Sequence, residues 1–324
     1  METRFGWLRG VMGAVLAIIA TAAGAQDAPF PKRGNIEMTV LFPAGSSADV
    51  TARLLSAGLA KQLGVNVVAV NRPGAGGAIG YKHVAAQKPD GYSIVWNSNS
   101  ISTTYHSGAL AFDYRAFDPV ARVLVESVVV AVRAESKWKT LKEFLADAKA
   151  RPGGITLANS GIGSHTHLSG IALAKAADAQ VTDVPYAAAQ VVPNLIGGHV
   201  DAVVQFPGAL AGHVAGGRVR VLVNLSAQRD PLFADVPTAR ELGLDLALDA
   251  WRGIATPRGT PQAVIAVLEK AIRETVQSAE FVSASEKLYV RPGFLPAAEF
   301  GKMIATEDAY LARIMEQTGL KKSP

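Results

Sequence analysis

The 324-residue chain has no cysteine. That excludes disulfides, thiolate metal sites, a cysteine nucleophile and a lipidated N-terminal cysteine, and leaves stability to core burial. Several catalytic signatures are also missing: no Gly-x-Ser-x-Gly elbow, no His-Glu-x-x-His and no Gly-x-x-x-x-Gly-Lys phosphate loop. Charge is present but unclustered. The 32 basic and 27 acidic residues give +5, with no basic run longer than two, which argues against nucleic acid as a partner. A mild positive field of this kind helps to recruit small anions. Long apolar runs are scarce too. The main one, Val11 to Ala20, follows Arg4 and Arg9 and precedes Ala23-Gly24-Ala25. It is too short to span a membrane and reads as a Sec-type signal peptide cleaved near Ala25. The expected mature protein is soluble, starts near Gln26 and resides in the periplasm of a Gram-negative cell.

What is present centres on one turn. Thr39-Val40-Leu41-Phe42 is β-branched and apolar, is stopped by Pro43, and reads as a buried strand. From Val50 the apolar spacing becomes helical, through Leu54, Leu55, Leu59 and Leu63. Between them, Gly45 supplies backbone freedom, and Ser46 and Ser47 are candidate caps. A helix start leaves N–H groups unpaired, so such a turn can hold an anion without Lys or Arg. The pattern recurs: strand Ile155 to Ala158, polar loop Asn159-Ser160-Gly161-Ile162-Gly163-Ser164, and helical spacing from His165 to Lys175. Two such turns predict two helix N-termini facing one cleft.

Strand and helix alternate along the rest of the chain, which predicts an α/β fold. Asn66 to Val70 is a strand leading into Asn71-Arg72-Pro73-Gly74-Ala75-Gly76-Gly77. This is no dinucleotide fingerprint: Ile79 occupies the third glycine position, and no acidic residue ends a strand about 20 residues on. Tyr92 to Trp96 is another strand, and its polar tip, including Ser98, Asn99 and Ser100, is a candidate third wall of the cleft. Val120 to Val132 is strongly β-forming and long enough to cross between two lobes. Asp249 to Pro257 reads as the return crossing. Helices are expected over Trp138 to Ala150, Pro261 to Val276 and Phe300 to Gln317.

Chemistry within this frame is sparse. His165 and His167, two apart on a helix, diverge, and neither has an acidic neighbour in sequence; a cleft-lining or capping role suits them better than a metal. Ser164 beside His165 does not make a dyad, because adjacent side chains face apart. Asp49 is open to two roles, stabilising its helix start or accepting a hydrogen bond from a ligand. No catalytic residue, metal or cofactor is expected; a hydrolase using Ser164 or Asp49 lacks a base and an orienting group.

Phe42-Pro43-Ala44-Gly45-Ser46-Ser47-Ala48-Asp49-Val50-Thr51-Ala52-Arg53-Leu54-Leu55 closely resembles the opening motif of the Bug, or tripartite tricarboxylate transporter (TctC-like), substrate-binding proteins. The likeness continues in order through Asn71 to Gly77, Pro89 to Tyr92, Ser160 to Ser164 with Leu168, Val184-Pro185-Tyr186, Leu195 to Asp201, Asp235 to Thr238 and Pro257 to Pro261. The resemblance implies a two-lobed, type II periplasmic-binding-protein-like fold with a ligand cleft between lobes and two crossover segments. Residues 26–125 with 252–324 would form one lobe and 126–251 the other. It implies a monomeric extracytoplasmic receptor for a small organic carboxylate, partnered by membrane transporter subunits, or alternatively a sensor feeding a sensor kinase. Carried over, the ligand residues are Phe42, Ala44, Gly45, Ser46, Ser47, Asp49, Ser98, Asn99 and Ser100, with Ser160, Gly163, Ser164, His165, Tyr186, Gln205 and Phe206 mostly from the other lobe. Two departures stand out. Ser46 replaces a usual second glycine, adding a hydroxyl, and Ala187-Ala188-Ala189 follows Tyr186 where a basic residue and glycine are common. The second removes a polar contact and leaves the family's dicarboxylate preference open.

Overall fold

The computed structural model describes residues 29–322; the expected signal peptide lies outside them. In chain order the elements are β1 (Ile36–Val40), α1 (Ser47–Leu63), β2 (Val67–Asn71), α2 (Ala78–Ala85), β3 (Ser93–Ser98), α3 (Ser100–His106), β4 (Phe117–Glu126) and β5 (Val129–Arg133). There follow α4 (Leu141–Ala150), β6 (Thr156–Asn159), α5 (His165–Ala176), β7 (Thr182–Pro185), α6 (Ala188–Ile196), β8 (Ala202–Gln205), α7 (Pro207–Ala215) and β9 (Val219–Asn224). The chain closes with β10 (Ala250–Pro257), α8 (Gln262–Gln277), α9 (Ala279–Lys287), β11 (Arg291–Pro296) and α10 (Ala297–Gln317).

The strands form two sheets, ordered β11-β4-β10-β3-β1-β2 and β7-β6-β8-β5-β9. Each is covered on both faces, as its parallel strands require. In the first sheet, Leu55 and Leu59 of α1 and Leu268 and Ile272 of α8 bury one face, and Tyr81, Ile101 and Phe300 cover the other. In the second, Phe144 of α4 and Leu173 of α5 lie opposite Val191 and Leu195 of α6. The β-rich run after Val120 divides at Ser127-Val128, β4 belonging to the first sheet and β5 to the second. The return comes at Asp249, after which β10 pairs antiparallel with both β3 and β4.

One helix joins the halves in a way that sequence spacing does not show. Phe300 and Ile304 of α10 lie in the core of the first sheet, Ile314 in that of the second, and Leu311 and Met315 pack on Leu168 of α5. Among the described residues, no helix is long and apolar enough to cross a membrane.

Candidate functional site

The two turns singled out from sequence share one backbone design. Ser46 caps α1 at φ −70°, ψ 160°, and Ser164 caps α5 at φ −68°, ψ 160°. The residue before each cap is a left-handed glycine, Gly45 at φ +78° and Gly163 at φ +76°. A Cβ at either would meet nothing within 4 Å, so conformation rather than crowding selects glycine there. Each cap hydroxyl accepts the amide three residues on, Asp49 N–H at 3.3 Å and His167 N–H at 3.2 Å. The side chains of those third residues reach back to the glycines: Asp49 Oδ2 accepts Gly45 N–H at 2.9 Å, and His167 Nδ1 accepts Gly163 N–H at 3.1 Å. Both turns are therefore capping boxes in reverse reach, one built with a carboxylate and one with an imidazole.

These bonds leave matching sets of amides over. Among the described residues, no protein acceptor meets the N–H of Ala44, Ser47 and Ala48 in the first turn, or of Ile162, His165 and Thr166 in the second. Three converging donors at a helix start, reinforced by the helix dipole, form an anion-binding concavity.

Arg252 lies beside the first turn. Its guanidinium stands 5.4 Å from the Phe42 ring centroid. Its Nε donates to Glu126 Oε2 at 3.3 Å, and Ser47 Oγ donates to Glu126 Oε1 at 2.6 Å. The pair is buried, the Arg252 side chain 10% and the Glu126 side chain 4% exposed. From the other half, burial pushes the His165 imidazole down to about 4; the Leu248 carbonyl resists and the Arg252 charge adds to the depression. Ser47 at the start of α1 thus bonds the carboxylate that pairs with Arg252, whose charge also acts on His165 at the start of α5. Neither Glu126 nor Arg252 was expected from sequence. The signal available was a charged residue inside the otherwise apolar Trp251-to-Ile254 strand, where burial demands a partner.

The structure assigns several expected ligand residues to internal bonding. Asp49 is 4% exposed, and beyond Gly45 its Oδ1 accepts from Asn71 Nδ2 and Arg53 Nη2, each at 2.9 Å. Burial works against its charge, but the Arg53, Gly45 and Asn71 hydrogen bonds and the Arg53 charge outweigh it and hold the carboxyl below its usual range. Of the two roles open to Asp49, this geometry fits stabilisation of the helix start. Asn99 is also bonded internally. Its Oδ1 accepts Trp251 N–H at 3.0 Å, and its Nδ2 donates to the Asp249 carbonyl and to Glu307 of α10, so it fastens the junction between the halves. Ser98 and Ser100 pair with each other at 2.8 Å beneath the Tyr81 hydroxyl, which burial pushes up to about 12. The polar tip after β3 is thus bonded within itself. Ser46 also uses its hydroxyl internally, donating to the Pro43 carbonyl at 2.7 Å.

The remaining expected residues cluster at the ends of β6 and β8. Gln205 Nε2 donates to Ser160 Oγ at 3.2 Å, and Gln205 Oε1 accepts Phe206 N–H at 2.9 Å. Tyr186 N–H bonds the Asn159 carbonyl at 3.0 Å, which sets half-buried Tyr186 beside this loop. Ala187, one of the departures from the family pattern, caps α6 without a side-chain bond. His167 proves to be the capping histidine, its Nε2 directed to Asp183 Oδ2 at 3.2 Å. No group of three or more His, Asp or Glu among the described residues could hold a metal ion.

Residues 51–320 match the family described as tripartite tricarboxylate transporter family receptor (TctC). The chain is 32% identical over 320 residues to Protein BugT of Bordetella pertussis, covering 97% of this chain and 98% of the relative. Among solved structures, a TctC solute binding protein from Polaromonas is 30% identical, with TM-score 0.78 over 88% of this chain and 99% of that one. MatC from Rhodopseudomonas palustris, solved with bound malate, is 26% identical, with TM-score 0.74 over 87% and 99%.

Proposed function

This chain belongs to the tripartite tricarboxylate transporter receptor family, and on that premise we propose that it is a periplasmic receptor for a small organic carboxylate, which it delivers to a membrane transporter. The observation that carries the reading is a pair of alike helix starts, each with three amides uncommitted among the described residues, with the Arg252 guanidinium beside Phe42 of the first turn and its charge acting on His165 of the second. Such donors suit a carboxylate, which accepts several hydrogen bonds and gains from the dipole field without a full counter-charge. At the second turn Ser164 Oγ meets Thr166 Oγ1 and His167 N–H and no imidazole nitrogen, and at the first the Glu126 carboxylate that Ser47 Oγ meets is also tied to Arg252. Binding without turnover is what the site offers. The half that runs through Glu126 and resumes at Ala250 would act as one lobe and the intervening residues as the other, closing by movement at Ser127-Val128 and Asp249 and removing the ligand from water. The malate complex of the Rhodopseudomonas palustris relative supports the ligand class.

Calorimetry and thermal shift over mono-, di- and tricarboxylates, aromatic acids and nicotinic acid test this reading. At least one acid should bind with a stoichiometry of one and raise the unfolding temperature. Absence of binding across the panel would overturn it.

A further inference from the structure

The two crossings between the halves are gripped twice, once from each side. On the side of the second half, Ser226 just after β9 takes both: its Oγ accepts Val128 N–H at 3.1 Å and donates to the Leu248 carbonyl at 3.4 Å. The Leu225 backbone repeats the arrangement, its N–H bonding the Val128 carbonyl and its carbonyl accepting Leu248 N–H, each at 2.7 Å. On the side of the first half, Arg291 at the start of β11 also reaches both. Its Nη2 donates to Ser127 Oγ at 3.4 Å and lies 3.7 Å from Asp249 Oδ1. Register puts it there. Arg291 of β11 and Trp251 of β10 both stand opposite Val125 of β4, next to the point where the crossings leave the sheet.

The two grips differ in kind. Ser226 is fully buried, and its bonds are directional and neutral. The Arg291 and Asp249 side chains keep 26% and 32% exposure, and their separation exceeds hydrogen-bond length. Asp249 Oδ1 and Arg291 Nε have no hydrogen-bond partner among the described residues. Charge therefore holds the pair, and a Coulomb attraction changes gradually with distance where a hydrogen bond fails abruptly. The other Asp249 oxygen meets Ala227 N–H of the second half at 3.5 Å, while Asn99 pins the Asp249 carbonyl and Trp251 N–H to the first. A firm grip at Val128 and Leu248 and a compliant one at Ser127 and Asp249 confine bending to the peptide links between them.

Resting on the receptor reading, we infer that Arg291, acting with Asp249, is a positioning residue for ligand capture: it holds the two crossings side by side and limits the directions in which the halves swing, without touching the ligand. Freed of this clasp, the halves sample more arrangements. The binding-competent fraction falls, and the apparent affinity falls with it.

The chain has no cysteine, so Lys142→Cys on α4 and Ala266→Cys on α8, both exposed positions, accept one spin label on each half. Pulsed dipolar spectroscopy of the ligand-free protein should give a broader distance distribution in Arg291→Gln than in the otherwise wild-type chain. Calorimetry with malate, succinate and adipate should show about fivefold or more weaker binding of whichever acid the wild type takes, the lower end of coupling between distant groups. Asp249→Asn should do the same, and the double variant should lose no more than the larger single loss, because the two residues act as one unit. Arg291 and Asp249 are partly exposed, so both variants should fold. A purely structural role would lower the unfolding temperature and leave distances and affinity alone. An unbroadened distribution, affinity within about twofold of wild type, or fully additive losses overturn the clasp and leave the receptor function standing. Should none of the three acids bind the wild type, the wider acid panel decides the receptor reading, and the distance distributions alone decide the clasp.

Discussion

The β1–turn–α1–β2 and β6–turn–α5–β7 units place the same backbone in two electrical settings. In both, a left-handed glycine, a serine cap and a reaching side chain at the third helical position form the turn. In both, that side chain is tied on its far side to the parallel neighbouring strand, Asp49 to Asn71 at the end of β2 and His167 to Asp183 in β7. The reaching group differs. A carboxylate beneath the first turn opposes part of the dipole field that would attract a ligand anion, and Arg53 in turn compensates it. An imidazole that accepts through Nδ1 and faces Asp183 through Nε2 puts no such charge directly beneath the second turn. The first helical residues differ as well. Ser47 is drawn to Glu126, whereas the His165 ring is buried and makes no side-chain bond, with only the Leu248 carbonyl acting on it. One geometry thus serves a braced turn in the first half and an electrically more open one in the second.

Removing the two reaching side chains breaks this comparison most severely. Asp49→Ala strands the Gly45 N–H, takes one of two acceptors from the half-buried Asn71 amide, which keeps the Phe42 carbonyl, and leaves Arg53 without its acid, so we expect about 2–4 kcal/mol of lost stability in denaturant unfolding. His167→Ala leaves only the Gly163 N–H and part of Asp183 uncompensated, and about 1–3 kcal/mol is expected. A larger loss at His167 than at Asp49 would show that the charge under the first turn is not what braces it.

Acid should separate the halves next. His165 ionises in the fold at about 4, below its ordinary 6.5. The unfolded chain therefore binds more protons between those values, and the stability tied to neutral His165 disappears as pH falls from about 6.5 to 4. Asp49 is held below its ordinary 3.8, so its contribution is full above that value and disappears only at lower pH. Hydrogen exchange should accordingly show amides of α5 losing about 1–3 kcal/mol of protection by pH 4 while those of α1 hold. Simultaneous loss in both helices would contradict the assignment.

Both turns were legible because their signals are local. A β-branched strand, a stop, a glycine and a serine within eight residues dictate the shape whatever surrounds them. The α/β alternation was legible for the same reason, and so was the crossing after Val120. What escaped depends on register. Arg252 meets Glu126 only because β10 runs antiparallel to β4, with Ala250 opposite Glu126, and no spacing within either strand encodes that. The bond from Asn99 to Glu307 of α10, 208 positions on, is likewise invisible to local spacing. Glu307 itself is pushed up to about 7 by burial, against hydrogen bonds from Trp251 and Asn99, with repulsion from Asp249 and Asp308 adding to the rise. Its helix looked like a plain C-terminal element, since amphipathic spacing reveals a buried stripe but not that its two ends serve different cores.

The smallest expected effect asks whether the cap hydroxyls do anything beyond capping. Ser46→Gly and Ser164→Gly each remove a hydroxyl that accepts one helical amide, and glycine at a cap costs only a few tenths of a kcal/mol. Both serines have extended backbone angles that glycine adopts freely. The uncommitted amides at Ala44, Ser47 and Ala48, and at Ile162, His165 and Thr166, belong to other residues and should keep their directions. Carboxylate affinity should then change less than about threefold in either variant, since backbone donors carry the grip. A tenfold loss in Ser164→Gly alone would place its hydroxyl on the ligand and make the second turn a side-chain site, whereas the same loss in Ser46→Gly would require its bond to the Pro43 carbonyl to break on binding.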